Sequence, residues 1–156
     1  MRPDTPPQIR PATPDDAEAL QDLYAHLSSD NTPCALDRAR HNIAQIAKYD
    51  GSAILAAEKN GLLLATCTLI VIPNLTRGGQ PYGLIENVVT HPDHRGQGLG
   101  KALLDAACAR AWSHGCYKVM LSTGSTSPAV LGFYAAAGFA QSRTGFQKRR
   151  LPPRVD

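Results

Sequence analysis

Along this chain the apolar positions change period repeatedly, and each change assigns an element. Residues 9–13 predict a short first strand. Thr13 can cap a helix with Pro14 at its first position and Asp15 and Asp16 in its first turn, where acids meet the positive helix end. Ala17, Leu20, Tyr24 and Leu27 then form one apolar face. After a break at 31–33, residues 35–49 predict a second helix with Ala39, Ile43, Ile46 and Ala47 inward, closed by Asp50-Gly51. Residues 52–58 and 62–72 predict strands, and Asn60-Gly61 between them is a hairpin signal. Residues 73–81 form a polar loop carrying Arg77-Gly78-Gly79, followed by a strand at 84–89.

Leu99, Leu103, Ala106, Ala107 and Ala111 recur at helical spacing as far as Gly115, and residues 117–121 predict the next strand. Ser127-Pro128 opens a short helix through Ala137, with Gly138 as its stop. Residues 139–142 and 146–151 are expected to pair around Thr144-Gly145. The predicted order is β-α-α-β-β-β-α-β-α-β-β, an α/β (α+β) class. It implies a mixed central sheet, antiparallel except near its middle, with helices on both faces. The strand–helix–strand passage there makes a parallel pair with a right-handed crossover. With no repeat or linker in 156 residues, one domain is expected, ordered over about 9–151.

Composition narrows the setting. No apolar run approaches the ~18 residues of a membrane span, and the polar, proline-rich start lacks a signal core, so a cytoplasmic protein is expected. Cys34, Cys67, Cys108 and Cys116 show neither C-x-x-C spacing nor a histidine cluster, and read as reduced core thiols; no metal centre is expected. A net charge of +3 is too small and scattered to argue for nucleic acid. The basic group Arg143, Lys148, Arg149, Arg150 and Arg154 reads as a solvated last strand and tail.

The chemistry concentrates in Arg95-Gly96-Gln97-Gly98-Leu99-Gly100-Lys101, which joins a predicted strand to a predicted helix. Such a loop aims backbone N–H groups and a helix N-terminus at one point, an anion site. A Walker loop would need glycine at 95 and Ser or Thr at 102, where this chain has Arg95 and Ala102. The dinucleotide fingerprint fails because Gly96 and Gly98 are followed by Lys101. What remains is R-x-x-G-x-G.

That motif resembles the acetyl-CoA pyrophosphate loop of the GNAT N-acetyltransferases. A second motif, Phe133-Tyr134-Ala135-Ala136-Ala137-Gly138-Phe139, is similar to the helix after the fifth strand in that family, and the element order agrees from 9 to 151. The resemblance implies an acetyl-CoA co-substrate. Its pyrophosphate would lie on Arg95, Gly96, Gln97, Gly98, Leu99, Gly100 and Lys101, and its pantetheine along Val88, Val89 and Thr90. Ser127, where many relatives have an asparagine, would touch the same arm. Acyl transfer also needs a neutral amine, and an alkyl ammonium of pKa about 10.4 is neutral in only roughly one molecule in 2500 at pH 7. Glu86, in an otherwise apolar strand, is the expected base or substrate ligand, with His91 and His94 in reserve. Tyr134 is the expected proton donor to the leaving thiolate.

Transfer is expected to be direct, through a ternary complex, to the primary amine of a small molecule. Two short likenesses refine this. Residues 85–89 with Cys116-Tyr117-Lys118 resemble glucosamine-6-phosphate N-acetyltransferases; Ser122-Thr123 with Phe133-Tyr134 and Gln141-Ser142 resembles aminoalkylphosphonate acetyltransferases. Both imply a phosphorylated or phosphonate amine, for which Arg77, Arg143 and Lys148 offer charge and Asn87 and Ser122 offer polar contacts. Relatives that acetylate ribosomal proteins carry a glutamate where this chain has Ser122, which weakens the alternative of a protein N-terminus. A further alternative is an acetyl-CoA sensor without turnover. Many relatives dimerise, so a homodimer is compatible with the family.

Overall fold

The first strand, β1, Gln8–Pro11, runs into a 3₁₀ turn at Pro14–Asp16 and then α1, Ala17–Tyr24. The cap expected at Thr13 forms reciprocally, with Thr13 N–H donating to Asp16 Oδ2 at 2.8 Å. Arg10 donates to both oxygens of Asp16 at 2.8 Å and to Glu58 at 2.6 Å, so one guanidinium ties β1 to the start of α1 and to the strand that carries Glu58. These details come from a computed structural model, which describes residues 5–152; residues 1–4 and Arg154 of the basic tail lie outside them. Next comes α2, Leu36–Lys48, with Ala39 and Ile43 buried. Ala47, expected inward, is exposed, because Ile46 takes the packing position on that turn.

A hairpin of β2, Ala53–Lys59, and β3, Leu62–Ile72, closes through Asn60 and Gly61 at φ 53° and 80°, the left-handed pair that a two-residue turn requires. Then follow β4, Tyr82–Thr90; α3, Leu99–Ser113; β5, Val119–Leu121; and α4, Pro128–Ala136. The sheet order is β1-β2-β3-β4-β5, antiparallel throughout except for the parallel pair β4 and β5.

The two strands expected at 139–142 and 146–151 do not form. Phe139 still packs on the core, but Phe146 is 94% exposed and Leu151 75%. Alternating apolar residues make a strand only where a partner edge and a face to bury are both within reach. β5 is three residues long and pairs along one edge only, with β4, and residues 140–152 are exposed throughout. The parallel pair therefore lies at the edge of the sheet rather than near its middle.

Two cores flank the sheet. On one face Leu99, Leu103, Leu104, Ala107 and Ala111 of α3 meet Ala53, Leu55, Ala65, Cys67, Leu69 and Ile85. On the other, Ala17 and Leu20 of α1 and Ala39 and Ile43 of α2 pack with Ile54. Gly83 lies against α3 and β5: a Cβ there would sit 3.2 Å from Val119 and 3.5 Å from Ala111.

Candidate active site

The site is built where β4 and β5 part. Their ladder holds only Gly83 with Val119, Leu84 with Met120 and Ile85 with Leu121. Beyond Ile85, β4 continues to Thr90 while the chain after Leu121 leaves the sheet, so one edge of residues 86–90 has no β5 partner. The two parallel strands therefore splay at this point. An exposed strand edge presents backbone donors and acceptors to whatever extended chain lies beside it.

A bulge marks the same point. Thr66 pairs with Val89 and Thr68 with Glu86, so Asn87 and Val88 together face the single residue Cys67. Asn87 is left-handed, φ 53°, a conformation asparagine tolerates better than most residues. The consequence is that consecutive residues Glu86 and Asn87 are both exposed, whereas regular alternation would bury one. Val88 then packs toward the α3 core, and Thr90 lies beside Gly100 of α3, its hydroxyl 3.7 Å from where a Cβ would stand.

The glycine loop follows. Pro92–His94 forms a 3₁₀ turn capped by His91, whose Nδ1 accepts from Asp93 N–H at 3.2 Å. That ring nitrogen is occupied, and the His91 ring also lies against His26 and His94, with centroids 4.8 and 5.7 Å away. Gly96 and Gly98 have φ of 73° and 79°, and Gly98 is the residue before α3. The first bond of α3 runs from Ala102 N–H to Gly98 C=O, 3.0 Å, so the N–H groups of Leu99, Gly100 and Lys101 project from the helix end without an intrahelical acceptor. Arg95 and Gln97 are exposed beside them. The Lys101 Nζ lies 2.7 Å from Asp105, one turn along the exposed face.

Gly100 has a role the sequence reading assigned elsewhere. A Cβ at Gly100 would lie 3.0 Å from Phe133 Cζ and 3.3 Å from Cε2, so this glycine admits α4 against the start of α3. Tyr134 is thereby set over the splay. Its ring lies 5.0 Å from Phe133 and 6.4 Å from Phe139. Burial pushes its phenol above the usual tyrosine range, and the neighbouring Cys67 and Glu86 push the same way. Tyr134 is thus a proton-bearing group at neutral pH, close enough to Glu86 to feel its charge. Cys67 itself is an inert, fully buried thiol pushed up to about 12.

The remaining candidates separate. Ser122 directly follows Leu121, the partner of Ile85, so its backbone stands near Glu86 at the parting of the strands. Ser127 precedes α4 and is exposed, its N–H taken by Ser125 Oγ at 3.2 Å. Arg143 is exposed on the irregular C-terminal segment, and Arg77 stands at the opposite end of β4 from the glycine loop. Among the described residues neither forms an ion pair with Glu86.

Sequence reasoning missed one wall. Asn87 shares a cleft of about 200 Å³ with Gln21, Tyr24, Leu27, Asn31, Thr32 and Cys34. Cys34, read as a core thiol, is exposed there and accepts from Gln21 Nε2, through Sγ at 3.3 Å. Tyr24 bonds Thr66 and Thr68 beneath, and burial raises its phenol. The cleft carries amides and hydroxyls but no formal charge. The polar break at 31–33 between two amphipathic helices was the available signal.

Comparisons with known proteins agree with this fold. A glucosamine 6-phosphate N-acetyltransferase of Trypanosoma brucei brucei is 34% identical over 134 residues, 85% of this chain and 88% of that protein. Among solved structures, a putative acetyltransferase from Agrobacterium tumefaciens str. C58 superposes with a TM-score of 0.86 at 41% identity, over 92% of this chain and 99% of that one. A Trypanosoma brucei acetyltransferase does so with a TM-score of 0.75 at 32% identity, over 94% and 99%. Residues 20–139, from α1 to the end of the Phe133–Phe139 motif, match the Acetyltransferase (GNAT) family, and the chain belongs to it.

Proposed function

We propose that the chain transfers an acetyl group from acetyl-CoA to the primary amine of a small phosphorylated molecule, glucosamine 6-phosphate being the first candidate. The observation that carries this reading is the convergence of Glu86 and Tyr134 on the unpaired edge of β4, beyond a loop with free helix-end N–H groups. The names of relatives at 32–35% identity, glucosamine 6-phosphate N-acetyltransferases among them, support the acceptor.

The residues present fit acetyl-CoA, which supplies an activated acetyl thioester when bound. Leu99, Gly100 and Lys101 offer backbone donors and Arg95 a free charge for its pyrophosphate. Val88, Val89 and Thr90 offer strand edge for the pantetheine arm. The bulge turns the peptide at Val88 out of the regular ladder, where its N–H can face a developing oxyanion. Glu86 takes the amine proton, directly or through water, relieving a handicap of about 4.6 kcal/mol for an ordinary alkyl ammonium at pH 7. Tyr134 holds the proton that the departing sulfur needs, and its raised pKa keeps that proton in place. The neutral cleft beside Asn87 suits the hydroxyls of the acceptor.

The test is an acceptor panel with purified protein and acetyl-CoA, reading free thiol: glucosamine 6-phosphate, aminoalkylphosphonates, polyamines and peptides. Turnover confined to peptides, or acetyl-CoA binding with no thiol from any amine, overturns the reading.

A further inference from the structure

On β4, Tyr82, Leu84 and Glu86 share the sheet face opposite α3, since Gly83 and Ile85 between them face α3 and its core. On β5, Val119 meets Gly83 on the α3 side, so Lys118 and Met120 project to the same face as Glu86. The result is a corridor. Its floor is the half-buried pair Leu84 and Met120, opposite each other in register. One end is the Glu86 carboxylate. The other is a cluster of two cations and two phenols: Lys118 Nζ lies 5.3 Å from the Tyr82 ring and 5.4 Å from the Tyr117 ring, and Arg77 Cζ lies 5.4 Å from that same Tyr117 ring. Two like charges sharing one ring are no more than twice 5.4 Å apart. Among the described residues neither has a carboxylate within salt-bridge distance. A pair of cations gathered on aromatic faces without an acid is a place for an anion.

We propose that Arg77 and Lys118 form the phosphate end of the acceptor site, with Glu86 as its amine end; this rests on the acceptor reading above. The length of the corridor then selects the acceptor. Tyr82 and Glu86 stand four residues apart, about 13 Å of strand. With a charge-assisted contact of ~3 Å at each end, the ligand between them spans about 7 Å. A hexosamine with phosphate on its far exocyclic carbon fills that span. An aminoalkylphosphonate, whose nitrogen and phosphorus are separated by one or two carbons, reaches one end only. Arg77, which seemed remote from the chemistry when judged from Glu86 alone, thereby regains a substrate role through Lys118.

The experiment compares kcat/KM for glucosamine 6-phosphate, glucosamine and 2-aminoethylphosphonate in the wild-type protein, Lys118→Met, Arg77→Gln and the double variant. Wild type should prefer glucosamine 6-phosphate over both others by at least about a hundredfold. Each single variant should lower kcat/KM for the phosphorylated sugar by about tenfold through KM. Rates with glucosamine and the KM for acetyl-CoA should hold, which also shows the variants folded. An unchanged preference in the double variant overturns the Arg77–Lys118 assignment and leaves the acceptor reading standing. Aminoethylphosphonate turned over as well as the sugar phosphate overturns the length argument. No turnover of glucosamine 6-phosphate by wild type overturns the acceptor reading itself.

Discussion

Replacing Gly100 with alanine tests how the anion loop and the proton donor are mechanically joined. The new Cβ would lie 3.0 Å from Phe133 Cζ and 3.3 Å from Cε2, against a carbon–carbon optimum of about 3.5–4.0 Å. Phe133 must retreat by a few tenths of an ångström, up to about half, and its neighbour Tyr134 sits on the same turn of α4. Overpacking of this kind costs about 1–3 kcal/mol. Alanine recovers up to about 1 kcal/mol of helix propensity, less in a first turn. The net loss of about 1 kcal/mol lowers Tm by roughly 2–4 °C in a chain of this length. The kinetic effect should be larger, because a misplacement of about 1 Å at a reacting group costs around a hundredfold, and half of that about tenfold. Thermal unfolding followed by circular dichroism and steady-state thiol release, with both substrates varied, measure the two effects. Gly100→Ala should lower kcat about tenfold, and Phe133→Leu in the same chain, which removes the crowding ring atoms, should restore much of it. A Gly100→Ala protein with wild-type kcat, or a loss the second substitution leaves untouched, would refute the coupling.

Other outcomes follow from the same geometry. Tyr134→Phe should lower kcat by about a hundredfold with little change in KM for acetyl-CoA, as general acids typically contribute. Because its pKa is raised, any alkaline fall in kcat from this group should come at higher pH than an ordinary tyrosine would give. Glu86→Gln should depress the rate most at low pH, where the amine most needs a base; a loss equal at every pH would make Glu86 a binding group. Cys67 is raised from 9.0 to about 12 by burial, so its thiol form is the one the fold favours. That contribution is complete below pH 9 and is lost as pH rises toward 12; the fall of Tm across that window should be shallower in Cys67→Ala.

Much of this was legible in residues whose physics is local. Asn60-Gly61 made the hairpin, Thr13 and Asp16 made the reciprocal cap, and Gly96 and Gly98 turned left-handed at the loop. The sequence resemblance pointed to the correct family and brought Glu86 and Tyr134 together. What escaped depends on contacts between distant segments. Phe146 and Leu151 bracket a segment expected to be a strand, but both stay exposed and no strand forms there. Gly100 reads as a phosphate glycine until Phe133, thirty-three positions on, is found against it. Lys118 enters the sequence only within the Cys116-Tyr117-Lys118 likeness; that its ammonium stands over Tyr82, and Arg77 over the Tyr117 ring, shows only in the fold. The cleft around Gln21 and Asn87 likewise joins two segments that no spacing links.

The bulge at Asn87 has one more implication. Glu86 pairs with Thr68 and Val89 with Thr66, so a β4 without Asn87 would run Glu86, Val88, Val89 in unbroken alternation. Every apolar side chain on both faces would keep its present neighbours. The packing of the protein is therefore indifferent to this residue: it is a spare link, inserted into a strand that would close without it. Left-handed backbone at a non-glycine residue costs about 1 kcal/mol or more, with no return in either core. A chain lacking Asn87 should fold at least as firmly as the natural one, and do so without the paired exposure of Glu86 and Asn87 beside the cleft.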